Sequence, residues 1–425
     1  MTASEASSGS VRTIGLRVVA VCTLASAVSQ FYRNAHVVVA PDIMRDTGVT
    51  AQTLGYLSGA LFITSALLQI PAGILIDRYG PRRTIPIMLV AVVIGSTLFA
   101  LAQSATMLIL ARAAMGVGVA AIGMACIVAS TRWFSGAYFA TVVGAVLGLS
   151  YFGNMAATLP MALVSEQMGW RQAFIAVSVI TAMIAVACAL FIRDAPEGHA
   201  FHSRQKETLR AAWAGVQEIL AVRQLWPLLG IAGTAYAVVS CILGLWAGPY
   251  LFDMYGLQGT ARGAVIIWFP IGMLIGNFVI TPLDRILDTR KRIIIASALG
   301  TVALFVLLAI EPKLPLLVLT GVFFLMGLLT SYTTVIIAHG RAFYPDRLIG
   351  RGTTIVNTAV IAGAGLMQAL TGAIVGALAP GATSLSADMY RLIFLVLAAV
   401  LATAVYFYRL CPDMPPSRAG HATAR

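Results

Sequence analysis

Four polar residues, Ser29, Gln30, Arg33 and His36, interrupt an apolar stretch near the start of the chain. On a helix of 100° per residue, the other three lie within about 60° of Arg33 and form one stripe with it. A guanidinium presents a planar fork of N–H donors that fits a carboxylate or a phosphate. A charge at the bilayer centre costs roughly 2.5–3.5 kcal/mol on insertion scales, so such residues usually have a function. The stripe therefore predicts contact with an anionic solute.

Two alternatives remain open for these residues. The Arg33 side chain could instead extend towards the membrane interface near Pro41, about 12 Å further along a helix. His36 titrates near neutral pH, yet most histidines of this kind are packed or hydrogen-bonded. Six more residues within apolar runs could hydrogen-bond a substrate or join one helix to another. They are Tyr151, Asn154, Tyr236, Tyr332, Asn357 and Gln368.

The composition indicates the elements that must position these residues. The chain has 425 residues, of which 59% are hydrophobic and 10% are charged, whereas soluble domains carry about 25% charged residues. It is therefore expected to be an all-α integral membrane protein, because its apolar runs are too long and too uniform for a β-barrel. Twelve spans are predicted: 14–41, 53–76, 84–104, 106–130, 138–165, 171–192, 225–252, 264–283, 293–311, 315–338, 350–379 and 389–408.

Lysine and arginine residues are distributed unevenly over the connections between these spans. If the N-terminus is cytoplasmic, 21 of the 28 lie in cytoplasmic segments and five lie outside. This bias sets membrane orientation. It predicts a plasma (inner) membrane protein with cytoplasmic tails at 1–13 and 409–425. The net charge of +12 is then a signal of topology, and a nucleic-acid partner is not expected.

A long cytoplasmic connection, 193–224, divides the spans into halves at 14–192 and 225–408. It contains an apolar stripe at helical spacing, which predicts an amphipathic helix on the membrane surface. The stripe consists of Leu209, Trp213, Val216 and Leu220.

The two halves carry matching landmarks about 208 residues apart. Because six spans separate them, the copies run in parallel. Parallel six-span halves with a substrate site between them are a known transporter plan. The matches include Pro41 with Pro249, Gly48 with Gly256, Asp77 with Asp284 and Arg78 with Arg285.

The loop after span 2, GILIDRYGPRR, resembles the signature loop of the major facilitator superfamily. RAAMGVG in span 4 resembles the second motif of that family, in which Arg112 and Gly116 are expected to be structural. The resemblance covers essentially the whole chain and implies twelve helices in two pseudo-symmetric halves. The residues that match the loop pattern are Gly73, Asp77, Arg78, Gly80, Arg82 and Arg83.

The resemblance implies that this loop is a cytoplasmic gate. Gly73 would allow a close helix approach, and Asp77 would accept hydrogen bonds at the start of span 11. Asp284 and Arg285 are the second-half equivalents, but Ile280 replaces the glycine there. The gate is therefore expected to be looser or differently packed on that side. The alternative is that the arginines only set the topology.

None of the sixteen Asp and Glu residues falls in the middle third of a predicted span. Proton-coupled sugar carriers and pumps that expel cations usually need one there, so both classes are disfavoured. Arg33 is then expected to pair with an anion that binds from solution. The resemblance supports this, because organic-anion exchangers of the superfamily use cavity arginines or lysines. The repeat places Cys241 opposite Arg33, so there is no symmetric second arginine.

These observations predict a secondary transporter of a small anionic organic solute that works by alternating access. A counter-anion, or a proton carried by His36, would be coupled to it, and a monomer in the lipid bilayer is expected. The alternatives are an exporter of neutral or amphipathic compounds and a receptor or scaffold that does not transport. The sequence shows no nucleophile–base pair, metal-ligand spacing or phosphate loop, so neither an enzyme nor a cofactor is expected.

Overall fold

The structure is a computed structural model that describes residues 3–134, 139–196, 209–344 and 348–419. Within these ranges, twelve helices are long and apolar enough to cross a membrane, and the described residues form no β-strand. The predicted class, an all-α membrane protein of twelve spans, is confirmed. Because twelve spans return the chain to its starting side, the first and last described residues, Ala3 and Ala419, lie on one face, here named the termini face. The opposite one is the far face.

In the first half, the helices are Ala3–Asn34 and Ala40–Thr47 (span 1), Ala51–Tyr79 (span 2), Pro81–Leu101 (span 3), Ala105–Val119 and Ile122–Trp133 (span 4), Phe139–Ala156 and Leu159–Met168 (span 5), and Trp170–Phe191 (span 6). Leu209–Leu220 forms the linker helix.

In the second half, they are Leu225–Cys241, the π-helix Ile242–Trp246 and Ala247–Tyr255 (span 7), Gly259–Ile266, Trp268–Val279 and Leu283–Ile286 (span 8), Lys291–Ile310 (span 9), Leu316–Thr330, Tyr332–Gly340 and the 3-10 turn Arg341–Phe343 (span 10), Ile349–Leu378 (span 11), Ala387–Tyr408 (span 12) and the short Pro416–Ala419.

Single glycines make two of the sharpest turns between spans. Gly80, at φ 79°, ends span 2 and precedes the first residue of span 3. Gly169, at φ 83°, does the same between spans 5 and 6. Glycine adopts positive φ without a Cβ penalty, and Pro81 suits the first helical position because its N–H would have no partner there. Each turn therefore joins its two spans through one residue.

The repeat read from the sequence is present in the backbone. Gly48 and Gly256 end the far-face helices of spans 1 and 7, and both adopt φ 67°. Pro41 lies in the first turn of one of these helices and Pro249 in that of the other. Equal dihedral angles at equivalent positions show that the two halves repeat one plan.

Small residues allow the two halves to meet closely on the far face. In spans 2 and 11, a Cβ added to Gly55 would come 2.9 Å from the Gln368 carbonyl. In spans 1 and 7, a Cβ on Gly248 would overlap the Val37 carbonyl. In spans 5 and 8, a Cβ on Gly263 would lie 2.9 Å from Leu159. These glycines close the far face in this conformation.

The structure adds two details to the predicted tail and linker. The helix of span 1 begins at Ala3, inside the predicted tail 1–13. In the linker 193–224, residues 197–208 lie outside the described residues. The linker helix is present, but Val216 is 6% exposed and Gly215 abuts the Arg351 side chain of span 11. This part of the helix packs on protein, whereas a membrane surface was expected.

Candidate functional site

Spans 1 and 7 both depart from regular α-helical geometry at equivalent positions of the two repeats. Span 1 leaves the helix after Asn34, passes through turns at 35–39 and resumes at Ala40, so the prediction of one continuous helix over 14–41 is wrong here. Span 7 contains the π-helix Ile242–Trp246, 208 residues after Asn34. Three consecutive valines in the turn of span 1 lower its helix propensity. Interrupted helices at matching positions of two repeats typically mark a transporter binding site.

Arg112 of span 4 satisfies backbone carbonyls that the break in span 1 leaves free. Its Nη1 donates to the Tyr32 carbonyl at 2.6 Å, and its Nη2 to the Arg33 carbonyl at 3.4 Å. Its Nε reaches the Leu57 carbonyl of span 2 at 3.4 Å. The side chain is fully buried, so these charge-assisted bonds replace water. Arg112 thus fixes the backbone that carries Arg33.

Gly116 lies one turn after Arg112 and brings span 4 against span 2. A Cβ on Gly116 would overlap the Leu61 carbonyl. The absence of a side chain therefore lets Arg112 reach spans 1 and 2.

The Arg33 side chain lies between the two halves. Its guanidinium carbon is 5.7 Å from the centre of the Phe62 ring of span 2, and it interacts with the Tyr236 side chain of span 7. Arg33 is partly exposed, and its Nε has no hydrogen-bond partner among the described residues. The structure thus brings two predicted residues, Arg33 and Tyr236, together at the interface of the halves.

Tyr151 meets a residue that the sequence interpretation missed. It interacts with the side chain of Asn277, which belongs to span 8 of the other half. Asn277 donates to the Met273 carbonyl at 2.8 Å and accepts from the Thr334 hydroxyl at 3.2 Å. Its position within an apolar span was the signal that could have identified it.

Asn154 and Gln368 lie in a buried polar cluster, here named the roof, between Arg33 and the far face. Asn34 Nδ2 donates to Asn154 Oδ1 at 2.8 Å, and Gln368 Nε2 donates to the Ser240 carbonyl at 3.1 Å. The acceptor oxygens Asn34 Oδ1 and Gln368 Oε1 have no partner within the described part of the chain. A Cβ on Gly244 would lie 2.8 Å from Gln368 Nε2 and 3.2 Å from Asn34 Oδ1. Both halves therefore contribute to the roof.

The remaining predicted binding residues are dispersed. His36 falls in the turn after Asn34, where its Nε2 bonds the Ser58 hydroxyl at 2.6 Å; it does not continue the helical stripe. Tyr332 is fully buried, whereas Gln30 and Asn357 are partly exposed.

Charged residues join the halves at the far face. Asp42 at the end of span 1 pairs with Arg262 of span 8 at 2.8 Å, and the Arg262 side chain is 2% exposed. Glu166 of span 5 accepts from the backbone N–H of Thr260 at 2.8 Å and also from its hydroxyl. These pairs, here named the far-face latch, were not predicted, although acidic residues at span ends were visible in the sequence.

The signature loop after span 2 is anchored within its own half. Arg82 N–H donates to Asp194 Oδ1, which follows span 6, at 2.8 Å. No described atom lies within 4 Å of a Cβ built on Gly73, so the expected close helix approach is not made there in this conformation. The Asp77, Arg78, Arg82 and Arg83 side chains are exposed, while the Gly80 backbone abuts Asp194.

The equivalent second-half loop is anchored in a similar way. Asp284 pairs with Arg290 Nε at 3.5 Å, while Arg285 is exposed. Asp413, which follows span 12, accepts from the Thr289 hydroxyl at 2.6 Å and from Lys291 N–H at 3.1 Å. Burial raises the pKa of Asp413, but these hydrogen bonds outweigh it and hold that pKa below its ordinary value. Within the described residues, no group of three or more potential metal-ligating side chains occurs.

The model of the Major Facilitator Superfamily matches residues 22–262, more than half of the chain. The chain belongs to the Major Facilitator Superfamily. The probable sulfoacetate transporter SauU of Cupriavidus necator is 25% identical over 231 residues, which are 52% of this chain and 53% of that relative. This chain thus spans only about half the length of the sulfoacetate relative.

Two further proteins match a larger share of this chain. The hexuronate transporter of Escherichia coli is 25% identical over 323 residues, 68% of this chain and 73% of that one. A bacterial homologue of the human lysosomal transporter Spinster, crystallised inward-facing and unoccupied, superposes with a TM-score of 0.75. It covers 94% of this chain and 97% of its own at 17% identity, and therefore shows the shared fold alone.

Proposed function

We propose that this protein is a secondary transporter that carries a small organic anion between its two halves by alternating access. The observation that carries the proposal is Arg33. Its guanidinium lies at the interface of the halves, and its buried Nε has no hydrogen-bond partner among the described residues. The sequence has no Asp or Glu in the middle third of any span. A carboxylate or sulfonate from solution fits this donor fork. The names of the hexuronate and sulfoacetate relatives support that chemistry.

The transport pathway follows from the closed far face. The termini face is assigned to the cytoplasm, because 21 of the 28 Lys and Arg residues lie on that side. In this conformation the latch and the glycine contacts hold the halves together at the far face, so we expect the site to open towards the cytoplasm. Alternating access requires the latch to part while the loops after spans 2 and 8 close. The gating role of Asp77 and its neighbours belongs to this proposal.

Binding and translocation explain the site without a catalytic step. The residues around Arg33 are donors, acceptors and aromatic rings, which recognise a solute and leave its covalent bonds unchanged. A neutral or amphipathic solute would leave the Arg33 guanidinium without a counter-charge when the site closes. We therefore place the organic anion before the exported neutral compound.

Uptake into proteoliposomes tests the proposal. Labelled galacturonate and sulfoacetate serve as anions, with a neutral hexose and a primary amine as comparison solutes. The Arg33→Gln substitution removes a charged donor, so anion uptake should fall about 10- to 100-fold. Arg391→Gln is the matched control, since Arg391 is exposed and pairs only with Asp388 of its own turn among the described residues. Transport of the amine, or anion uptake unchanged in Arg33→Gln, would refute the anion assignment.

A further inference from the structure

A cavity of about 430 Å³ lies on the far face, between the two halves. The first half contributes the far-face helix of span 1 and the start of span 2, and the second half contributes the end of span 7 and the loop between spans 11 and 12. Ala51, which lines the cavity, donates its backbone N–H to the Ala382 carbonyl at 2.9 Å, so a hydrogen bond joins the halves there. Cavities of this size hold small molecules. The space is therefore a candidate ligand site, and Arg33 is not among its lining residues.

Much of the wall of this cavity is apolar. Pro41 and Met44 line it from span 1, and Pro249 and Phe252 line it from span 7. Phe252 is 38% exposed, which is a large fraction for an aromatic side chain. Contact with a hydrocarbon group would remove this surface from water. The wall thus favours a ligand that is partly apolar.

Asp253 is the charged residue that the second half contributes to the wall. Its carboxylate accepts from the Ser384 hydroxyl at 2.9 Å, from the Leu385 N–H at 2.9 Å and from the Tyr390 hydroxyl at 2.7 Å. All three donors are neutral, and Asp253 forms no ion pair with a described residue. The hydrogen bonds fix the carboxylate in place and leave its negative charge without a counter-charge.

Arg45 is the first-half equivalent of Asp253, because the two residues are 208 positions apart, which is the offset of the repeat. Arg45 pairs with Asp42 at 3.3 Å and with Asp46 at 3.4 Å. Its charge is therefore compensated within its own half, whereas that of Asp253 is not. The lining residues carry two negative charges, on Asp42 and Asp253, and one positive charge, on Arg45. This balance favours a cation.

We propose that this far-face cavity binds a small organic cation. The charged nitrogen of the ligand lies against Asp253, and its hydrocarbon part lies against Pro249 and Phe252. Because the walls belong to both halves, the cavity exists only while the halves meet at the far face, so the ligand binds that form selectively. The proposal does not depend on which solute is transported, since the proposed transport site at Arg33 carries the opposite charge.

Titrations followed by fluorine NMR test the site with two probes of nearly equal shape. The protein is the full chain in nanodiscs, para-fluorobenzylamine is the cation and para-fluorobenzyl alcohol is its neutral counterpart. The amine should bind saturably with a Kd about 10-fold lower than that of the alcohol. Equal Kd values for the two probes in the wild type, or no saturation by the amine, would overturn the proposal.

Asp253→Asn separates the charge from the hydrogen bonds. Asparagine keeps an acceptor oxygen, so the Kd of the amine should rise about 10-fold, to the value of the alcohol, while that of the alcohol stays unchanged. Asp388→Asn is the matched control, because Asp388 is another far-face carboxylate, is 85% exposed in its side chain and pairs with Arg391 of its own turn. Equal losses in the two variants would show a general attraction to the far face and would overturn the site.

Arg45→Gln tests the wall of the first half. Loss of this positive charge should lower the Kd of the amine about threefold at low ionic strength. The effect is small because the Arg45 side chain is 72% exposed. Its direction is opposite to that of Asp253→Asn, so a loss of folded protein cannot imitate it. An unchanged Kd in Arg45→Gln would place the amine away from the space between the halves and refute the proposal.

Discussion

The far-face latch offers the sharpest test of how the halves close. The Arg262 side chain is 2% exposed and bonds Asp42 at 2.8 Å, whereas Asp42 is 29% exposed. Removing one partner of a fully buried ion pair costs about 3–5 kcal/mol. Because Asp42 is partly solvated and also meets Arg45 at 3.3 Å, we reduce this value to about 2 kcal/mol. Asp42→Asn should therefore shift the equilibrium between far-face-closed and far-face-open forms about 30-fold towards the open form.

Spin labels on the far face measure this shift. Gln103 of the first half and Lys313 of the second are exposed in far-face loops, and the five native cysteines are buried. The distance distribution between labels at these two positions should gain a longer component in Asp42→Asn. Arg45→Gln is the control, because Arg45 contacts the same carboxylate but its side chain is 72% exposed, and it should change little. Identical distributions in Asp42→Asn and the wild type would refute the latch.

Three further outcomes follow from other contacts. Gly248→Ala should block far-face closure and reduce transport, because the added Cβ would overlap the Val37 carbonyl. Gly123→Ala is the control and should stay active, since its Cβ meets no described atom within 4 Å. Equal transport by the two variants would contradict this. Arg112→Gln should destabilise the protein by about 2–4 kcal/mol by leaving carbonyls uncovered; an unchanged melting temperature in detergent would count against that role. The pKa of Asp413 is lowered, so its hydrogen bonds to residues 289–291 should stabilise the chain after span 12 to their full extent above about pH 4. This stabilisation should be lost as the pH falls through the lowered pKa. Amide hydrogen exchange at 289–291 should then be constant from pH 5 to 8 after correction for intrinsic rates, and faster in Asp413→Asn; protection that varies across this range would disprove it.

Much of the fold could be read from local pattern. Long apolar runs determine the spans, and the positions of Pro41, Gly48, Pro249 and Gly256 revealed the repeat, because bilayer thickness and backbone dihedrals act within a few residues. The break in span 1 could not be read in this way. Its stability depends on Arg112, which is 80 residues away from Tyr32 in the sequence, and no helical pattern reports such a contact.

For the candidate site, the sequence indicates the chemistry more readily than the arrangement of the residues. Arg33 stood out in the sequence because a charged side chain in an apolar span is energetically costly and usually has a function. Its meeting with Tyr236, and that of Tyr151 with Asn277, depend on how the halves dock. The latch between Asp42 and Arg262 joins residues 220 apart, and each alone looks like an ordinary charge at the end of a span.

The hydrogen bonds from Arg112 to the span 1 carbonyls also affect the order in which the spans assemble during synthesis. A membrane protein is synthesised from its N-terminus, so span 1 enters the bilayer before Arg112 exists. Until span 4 arrives, the Tyr32 and Arg33 carbonyls lack the donors of Arg112, and unpaired backbone groups are unfavourable in lipid. The first four spans must therefore assemble together before span 1 is stable at its final depth. Ribosome-bound chains that end before span 4 should hold span 1 less firmly than chains that end after it.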